Sequence, residues 1–514
     1  MTLSKAYQPI HSFPGATADA MTPLEFRADL ALLTLPFSMF VGTERADPAV
    51  SERIELFISA LDKDKGAVIC VPWHLHLGVD PEEYRAVVES FLRKNKKLKK
   101  HVVDVLVVKS GDPRLQSWLF VTACVPGQEP DPSAFDTVVD LAQTDGPGNS
   151  IISFFTGAGF LDLGFEEAGF RIDMVNEYER EFLGGYRFAR SLRGSAPPRY
   201  GYHLGSAEEL SQGEHLGRLV KIVEDVKSHG RKVGFVGGPP CPDFSIGGKQ
   251  AGSEGDNGRL TDVYFDAIVG AKPDFFIFEN VEGLWKTKRH RKFYNEMKER
   301  AQAAGYVLHD RLINAVEYGV GQSRPRIFLV GVLGGDPDVV FPWEDNMTHS
   351  KSVLDLEWPQ TAPFSENSAT PFPADLGIPQ ELTVEHWFRR NDVSNHPNAA
   401  MSFVPKSARI SEVPEGMTDH KSFKRLHRWR YSPTACYGNN EVHLHPYLPR
   451  RLSVAEALAL QSMPSDFSLP TDMPLSKAFK TIGNGVPFLA ALGLARSVRA
   501  VLDGAVPMAV QEAA

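Results

Sequence analysis

From residue 150 onward, short apolar runs alternate with longer stretches in which apolar residues recur every three or four positions. IISFFTG (151–157), IDMVNE (172–177), KVGFVGG (232–238), DFFIFENV (274–281) and RIFLVGV (326–332) read as buried strands. LDLGFEEAGF (161–170), which follows the first of them, carries a helical period. Strand then helix, repeated, predicts an α/β fold on a parallel sheet, with function at the strand carboxyl ends. RLSVAEALALQSMP (451–464) and NGVPFLAALGLARSVRAVL (484–502) are apolar on one side, as expected of helices that return to pack on that sheet. The first 145 residues follow a different pattern. Apolar runs at 66–79 and 101–108 flank the helical EEYRAVVESFLRKNKKLKK (82–100), predicting a small α+β unit that ends in the linker-like QTDGPGNS (143–150).

Charge changes this picture in two places. Residues 335–383 hold nine acidic residues against one lysine, and seven prolines, which predicts a connector rather than a continuous helix. Residues 384–451 hold eleven Lys/Arg against six acids, and six of the sixteen histidines. This is the candidate nucleic-acid face, and HKSFKRLHRWRYSPTACYGNNEVHLHPYLPRR (420–451) interleaves basic and aromatic residues in a way suited to phosphate contact. Across all 514 residues the net charge is −9, which excludes wholesale electrostatic coating of a nucleic acid. With 42% hydrophobic and 23% charged residues, disorder is excluded as the main state. Four cysteines (Cys70, Cys124, Cys241, Cys436) without a CxxC pair fit a reducing compartment and argue against a structural zinc, so no metal is expected. The N-terminus has no apolar leader, and no run approaches the roughly 18 apolar residues of a membrane span, so the expectation is a cytoplasmic protein.

Five segments carry candidate chemistry. In FFTGAGFLDLGFEEAGF (154–170), Gly157 and Gly159 let the backbone approach a ligand, and Glu177 after the second strand is placed to bind a ribose. A strand–helix turn without a ligand looks the same. In VGFVGGPPCPDFSIGGKQ (233–250), two prolines present Cys241 at a strand end, which suggests a nucleophile where an inert buried cysteine is the alternative. Its Gly-rich continuation reads as a loop able to close over a substrate. KPDFFIFENVEGL (272–284) delivers Glu279 to the next strand end, as a proton-sharing carboxylate or a helix cap. GVGQSRPRIFLVG (319–331) sets Arg324 and Arg326 two apart on one strand face, suited to an anionic or carbonyl ligand or to plain surface charge. In KTIGNGVPFL (480–489), Asn484 lies between two glycines in a turn that closes a pocket.

In this order, FxGxGxxxxGFExAGF, NE, GGPPCxxFS, ENVxGL, QxRxR, RxLSVxEAxxLQSxPxxF and IGNGVP resemble the DNA cytosine-5 methyltransferases over residues 150–334 and 420–500. The resemblance implies a Rossmann-like, S-adenosyl-L-methionine-dependent domain. On this reading residues 1–145 are an accessory domain of unassigned role, 146–334 the catalytic domain, 335–449 the linker and target-recognition region, and 450–514 its C-terminal completion. It further implies that Cys241 attacks C6 of a cytosine flipped out of double-stranded DNA. Glu279 would then bond at N3 and the exocyclic amine, with Arg324 and Arg326 orienting the base. Phe155, Gly157, Gly159, Glu177, Tyr178, Pro240, Asn484 and Val486 match the cofactor-lining positions. The sequence departs from the family at Ser153 (usually Asp), Phe160 (usually Gly), Pro242 (often Gln), Asp243 (commonly small), Ser206 (usually acidic) and Gly321 (usually Pro). The expected setting is restriction–modification or a related defence system with a cognate endonuclease. Two other readings are methylation of a tRNA-like RNA and a DNA-binding regulator with a lapsed active site.

Overall fold

The computed structural model describes residues 148–505 except 194, 196, 197, 241–255, 405, 406, 421, 436 and 438–441, together with the backbone of four earlier strands. The chain forms two compact units. One comprises Met1–Gly148, Asp173–Val175 and Arg187–Gly205, the other Asn149–Ile172, Asn176–Tyr186 and Ser206–Ala514. In the first, β1 (Ala31–Thr34), β2 (Ala67–Trp73), β3 (Val102–Val108) and β4 (Ser117–Cys124) make a sheet of order β1-β2-β4-β3. β1 and β2 run parallel, and the other two pairs antiparallel. The apolar runs at 66–79 and 101–108 thus contain β2 and β3, whereas the helical 82–100 and its basic end lie outside the described residues.

A seven-stranded sheet comprises β5 (Ser150–Phe154), β6 (Arg171–Glu177), β7 (Tyr202–Leu204), β8 (Val233–Gly237), β9 (Phe275–Val281), β10 (Tyr306–Asn314) and β11 (Pro325–Leu333), in the order β10-β11-β9-β8-β5-β6-β7. All five apolar blocks form strands, and β5 and β8 are buried along their whole length, as strands covered on both faces must be. β5, β8 and β9 run parallel, giving the Rossmann-like core. The parallel expectation fails at one edge. β11 is antiparallel to both β9 and β10: residues 315–324, opening with a 3-10 turn at Ala315–Tyr318, join β10 to β11 over too short a span for the crossover that a parallel pair needs.

The intervening helices are α1 (Phe160–Glu167), α2 (Arg180–Leu192), α3 (Ala207–Leu210), α4 (Gly213–Ser228), α5 (Asp256–Ala271), α6 (Glu282–Lys286) and α7 (Lys288–Ala303). α5 packs on α3, α4 and α7. After the sheet come α8 (Val384–Arg390), α9 (Val454–Leu460), α10 (Leu475–Asn484) and α11 (Phe488–Leu502). α11 lies on α1 so closely that a Cβ on Gly164 would stand 2.6 Å from Ala491. At α9 the RLSVAE sequence acts as a capping box: Ser453 Oγ accepts from Glu456 N and the Glu456 carboxylate from Ser453 N. Among the described residues, Leu475–Leu502 is the one segment long and apolar enough by composition to cross a membrane, and 56% of its most apolar 18-residue window is buried in the fold, as in the core helix of a globular protein.

Residues 335–383 are a packed segment rather than a loose connector. Short 3-10 turns at Lys351–Asp355, Ala374–Leu376 and Gln380–Leu382 place Val353, Trp358, Ile378 and Leu382 in one apolar cluster with Val316. Among the described residues beyond α8, regular strand pairing is limited to β12 (Lys424–Arg425) beside β13 (His443–Leu444).

Candidate active site

The chain leaves β5 through Phe155, held at φ 53°, a left-handed conformation that a bulky side chain enters only under constraint. Buried Asp162, in the first turn of α1, supplies the constraint. Its two oxygens accept from Ser153 Oγ and Thr156 Oγ1, each at 2.7 Å, so hydroxyls on both sides of Phe154–Phe155 converge on one carboxylate. Gly157 N donates to Glu177 Oε2 (2.7 Å), and Ala158 N to Thr481 Oγ1 of α10 (3.0 Å). Glu177, at the end of β6, takes Tyr178 N and Glu179 N on its other oxygen, both at 2.9 Å. A carboxylate has about four acceptor positions, so three backbone donors leave room for a ligand hydroxyl. Burial pushes the Glu177 carboxyl up from its ordinary value, while the N–H donors pull it back. Beside it the Tyr178 ring is 74% exposed, an open aromatic face.

Several departures from the family pattern have structural explanations. Phe160 points its ring into the core, edge-on to Phe467 at 5.3 Å, in space that exists because residue 485 is glycine: a Cβ there would lie 2.3 Å from the ring. Next to Gly321 sits the Trp387 indole, which a Cβ would meet at 2.4 Å. Ser153 is one of the two hydroxyls gripped by Asp162, so a buried carboxylate stands on the helix instead of the strand. Ser206 caps α3, accepting from Glu208 N at 3.3 Å.

Cys241 lies outside the described residues, as do Pro242, Asp243 and the rest of the Gly-rich loop. The segment leading to Cys241 is described as far as half-buried Pro240. Glu279, buried near the end of β9, lies directly against that segment: a Cβ on Gly238 would stand 2.6 Å from Glu279 Oε2, so any larger residue there must displace the carboxylate. The antiparallel register sets Arg326 opposite Val281, and its Nε lies 3.0 Å from Glu279 Oε1. Burial raises the Glu279 pKa, and the charges of Arg326 and Arg324 oppose that rise.

The two arginines therefore separate in role. Arg326 meets the carboxylate, whereas Arg324, 2% exposed, donates to the carbonyls of Ala435 (3.0 Å), Gly483 (2.8 Å) and Asn484 (3.3 Å). Gln322 adds to the same brace, donating to Leu460 O and accepting from Ala435 N, both at 3.0 Å. Asn484 thus ends α10 with its carbonyl tied down and its side chain exposed, and Val486 is buried. Sequence reading missed Asp162, Gly238 and Thr481. An acid inside the apolar stripe of α1 was the one available signal for Asp162; the other two are functional only through contacts remote in sequence.

The basic stretch 384–451 needs a larger correction. Arg425 is fully buried and donates to the carbonyls of Val413 (2.7 Å), Leu448 (3.1 Å), Ile410 and His445. Arg428 pairs with Glu415 at 2.8 Å in the interior. Burial holds His427 and His445 down at about 4 and His443 at about 3, so all three are neutral at physiological pH. Two of the eleven Lys/Arg assigned to a nucleic-acid face are therefore interior. Cys436 lies outside the described residues.

A family model for the C-5 cytosine-specific DNA methylases matches residues 149–499. The Type II methyltransferase M.NmeDI of Neisseria meningitidis serogroup C is 50% identical over 69% of this chain and 84% of its own length. M.FnuDI of Fusobacterium nucleatum is 26% identical over 68% and 94%, and M.MthTI of Methanothermobacter thermautotrophicus 27% over 69% and 98%; both are named Type II methyltransferases.

Proposed function

The chain belongs to the C-5 cytosine-specific DNA methylases and is a DNA cytosine-5-methyltransferase, and from that premise we propose that it methylates C5 of a flipped-out cytosine in double-stranded DNA through a covalent adduct between Cys241 and C6. The observation that carries this reading is Glu279, paired with Arg326 at 3.0 Å and lying over Gly238, three residues before the thiol, at the ends of adjacent parallel strands. C6 is unreachable in a stacked duplex, so the base must leave the stack to enter this site. Glu279, its pKa raised by burial, holds a proton at N3 of the cytosine, which draws electrons from C6. The Cys241 thiolate adds to C6, the displaced electron pair makes C5 nucleophilic, and C5 takes the methyl group. Loss of the C5 proton then expels Cys241 and restores the ring. Arg326 steadies Glu279, and Arg324 holds the Gly483–Asn484 turn beside the site.

S-adenosyl-L-methionine would supply the methyl group, as an electrophilic sulfonium. The residues fit it: Glu177 keeps acceptor capacity for a ribose hydroxyl, and Tyr178 offers an uncovered ring for a purine. Phe155, Gly157, Gly159, Pro240, Asn484 and Val486 complete this cofactor set. Residues 450–514 complete the catalytic domain, a reading supported by the packing of α11 on α1. The Type II names of the relatives support a place in restriction–modification beside a cognate endonuclease.

The test is expression in a methylation-free host with genome-wide conversion sequencing, alongside Cys241→Ala. New 5-methylcytosine at one short motif, lost in the alanine variant, is the expected result. A mark that persists in Cys241→Ala, or folded wild-type protein that leaves none, sinks the mechanism.

A further inference from the structure

Arg430 differs from the buried arginines around it. Arg324, Arg425 and Arg428 each saturate carbonyls or a carboxylate, but among the described residues the Arg430 guanidinium has no hydrogen bond or ion pair. Its backbone is nonetheless pinned, N donating to His427 O (3.2 Å) and O accepting from Val384 N (2.9 Å). The half-buried side chain lines a pocket of about 300 Å³ together with Ser323, Thr418, His427, Tyr431 and Thr434. Apart from the arginine, these are hydroxyls and a neutral imidazole, and Glu415 nearby is already neutralised by Arg428. One uncompensated guanidinium among hydroxyl donors is the chemistry that receives an oxyanion with several acceptor oxygens.

The position of the pocket ties it to catalysis. Ser323 lies between Gln322 and Arg324; its N donates to Ser432 O (2.9 Å), and its O accepts from Thr434 Oγ1 (2.8 Å). One wall of the pocket is therefore the brace that holds Arg324 and, two residues on, the Arg326–Glu279 pair. An anion seated there is held in fixed register with the reacting base.

We propose that this pocket seats one backbone phosphate of the DNA substrate, with Arg430 as its ion-pairing group, a site that rests on the DNA-methyltransferase reading above. Phosphate contacts fix register without reading sequence, and each releases counterions, contributing about −0.9 to the slope of log K against log salt. The experiment uses the full chain and compares wild type, Arg430→Gln and Arg430→Lys on duplex DNA and on an RNA hairpin, with melting temperatures confirming that each variant folds. Arg430→Gln is expected to weaken duplex binding by about tenfold and to reduce the salt slope by about one, with Arg430→Lys restoring most of the slope and the methylated motif unchanged. An unchanged affinity and slope overturns the proposal. So does a relaxed motif, which would make Arg430 a reader of base edges, and so does a loss confined to RNA. Wild-type protein that methylates no DNA overturns the parent reading instead, and that outcome is visible before any variant is examined.

Discussion

In the sheet, Ile151–Phe154 pair residue by residue with Gly234–Gly237, and β8 pairs in turn with β9, so backbone polar groups are satisfied strand to strand. Among the described residues between 391 and 450 such pairing is confined to the two-residue β12–β13 ladder and isolated bridges, and side chains do that work. Arg425 reaches four carbonyls, Asn391 bonds Met463 O (2.8 Å), His396 bonds Phe467 O (3.0 Å) and Asn398 bonds Leu469 O (2.8 Å). Buried backbone groups must find partners in either region, and the source of those partners decides which side chains remain available. Ladder pairing within the strands leaves the Glu279 carboxylate free to meet Arg326, whereas Glu177 at the end of β6 takes three backbone N–H donors where the ladder stops. Irregular structure uses Arg425, Arg428 and Asn398 internally, so the 384–451 stretch offers two fewer cations than its eleven Lys/Arg suggest.

The comparison breaks most sharply at Glu279. Glu279→Gln is expected to cut the turnover rate by about 10² to 10⁴-fold with little change in melting temperature, because its backbone is held by the sheet. Unfolding comparable to that of a variant in residues 391–450 would erase the distinction. Arg428→Met should do the reverse, leaving Glu415 buried and unpaired at a cost of about 3–5 kcal/mol in urea denaturation. A loss below about 1 kcal/mol would show that this pair does not hold the segment together.

Acid titration sharpens the contrast. His427, His443 and His445 have folded pKa values of about 4, 3 and 4 against 6.5, so the unfolded chain binds the extra protons and stability falls as pH drops from 6.5 towards 4. Unfolding near pH 5 should take up on the order of three protons at these sites, measurable by calorimetry in buffers of different ionisation enthalpy. Glu177 and Glu279 act in the opposite sense: with raised folded pKa values they bind protons more tightly when folded, so their contribution declines as pH rises through 4.5. The smallest effects are expected at two glycines, one at the Phe160 contact and one in α2. Gly485→Ala should cost about 1–3 kcal/mol through overpacking against the ring. Gly184→Ala, in α2 with nothing within 4 Å, should instead be neutral or add up to about 1 kcal/mol.

Local pattern was enough to locate β5, β6, β8, β9 and β11, since an apolar block closed by polar residues states both its burial and its end. It also brought Glu177, Glu279 and Arg326 to strand termini, because a residue's place along a strand is a local property. Direction was not local, so the antiparallel edge at β11 escaped: the same apolar block fits either orientation, and only the short 315–324 connection excludes a crossover. Partner choice was less legible still. Arg324 and Arg326 look equivalent at period two, yet one closes on Glu279 and the other on carbonyls up to 160 residues away.

By itself, then, the sequence determined the α/β alternation, the family through its ordered motifs, and the candidate nucleophile, acid and ribose carboxylate, because each is written in neighbouring residues. Only the tertiary structure decided that Asp162 locks the Phe155 turn, that Thr481 reaches Ala158 across 323 residues, and that Arg425 and Arg428 are interior while Arg430 is not. Whether a charge is available depends on the carbonyls and carboxylates that distant segments bring within about 3 Å of it, and no local pattern encodes that distance.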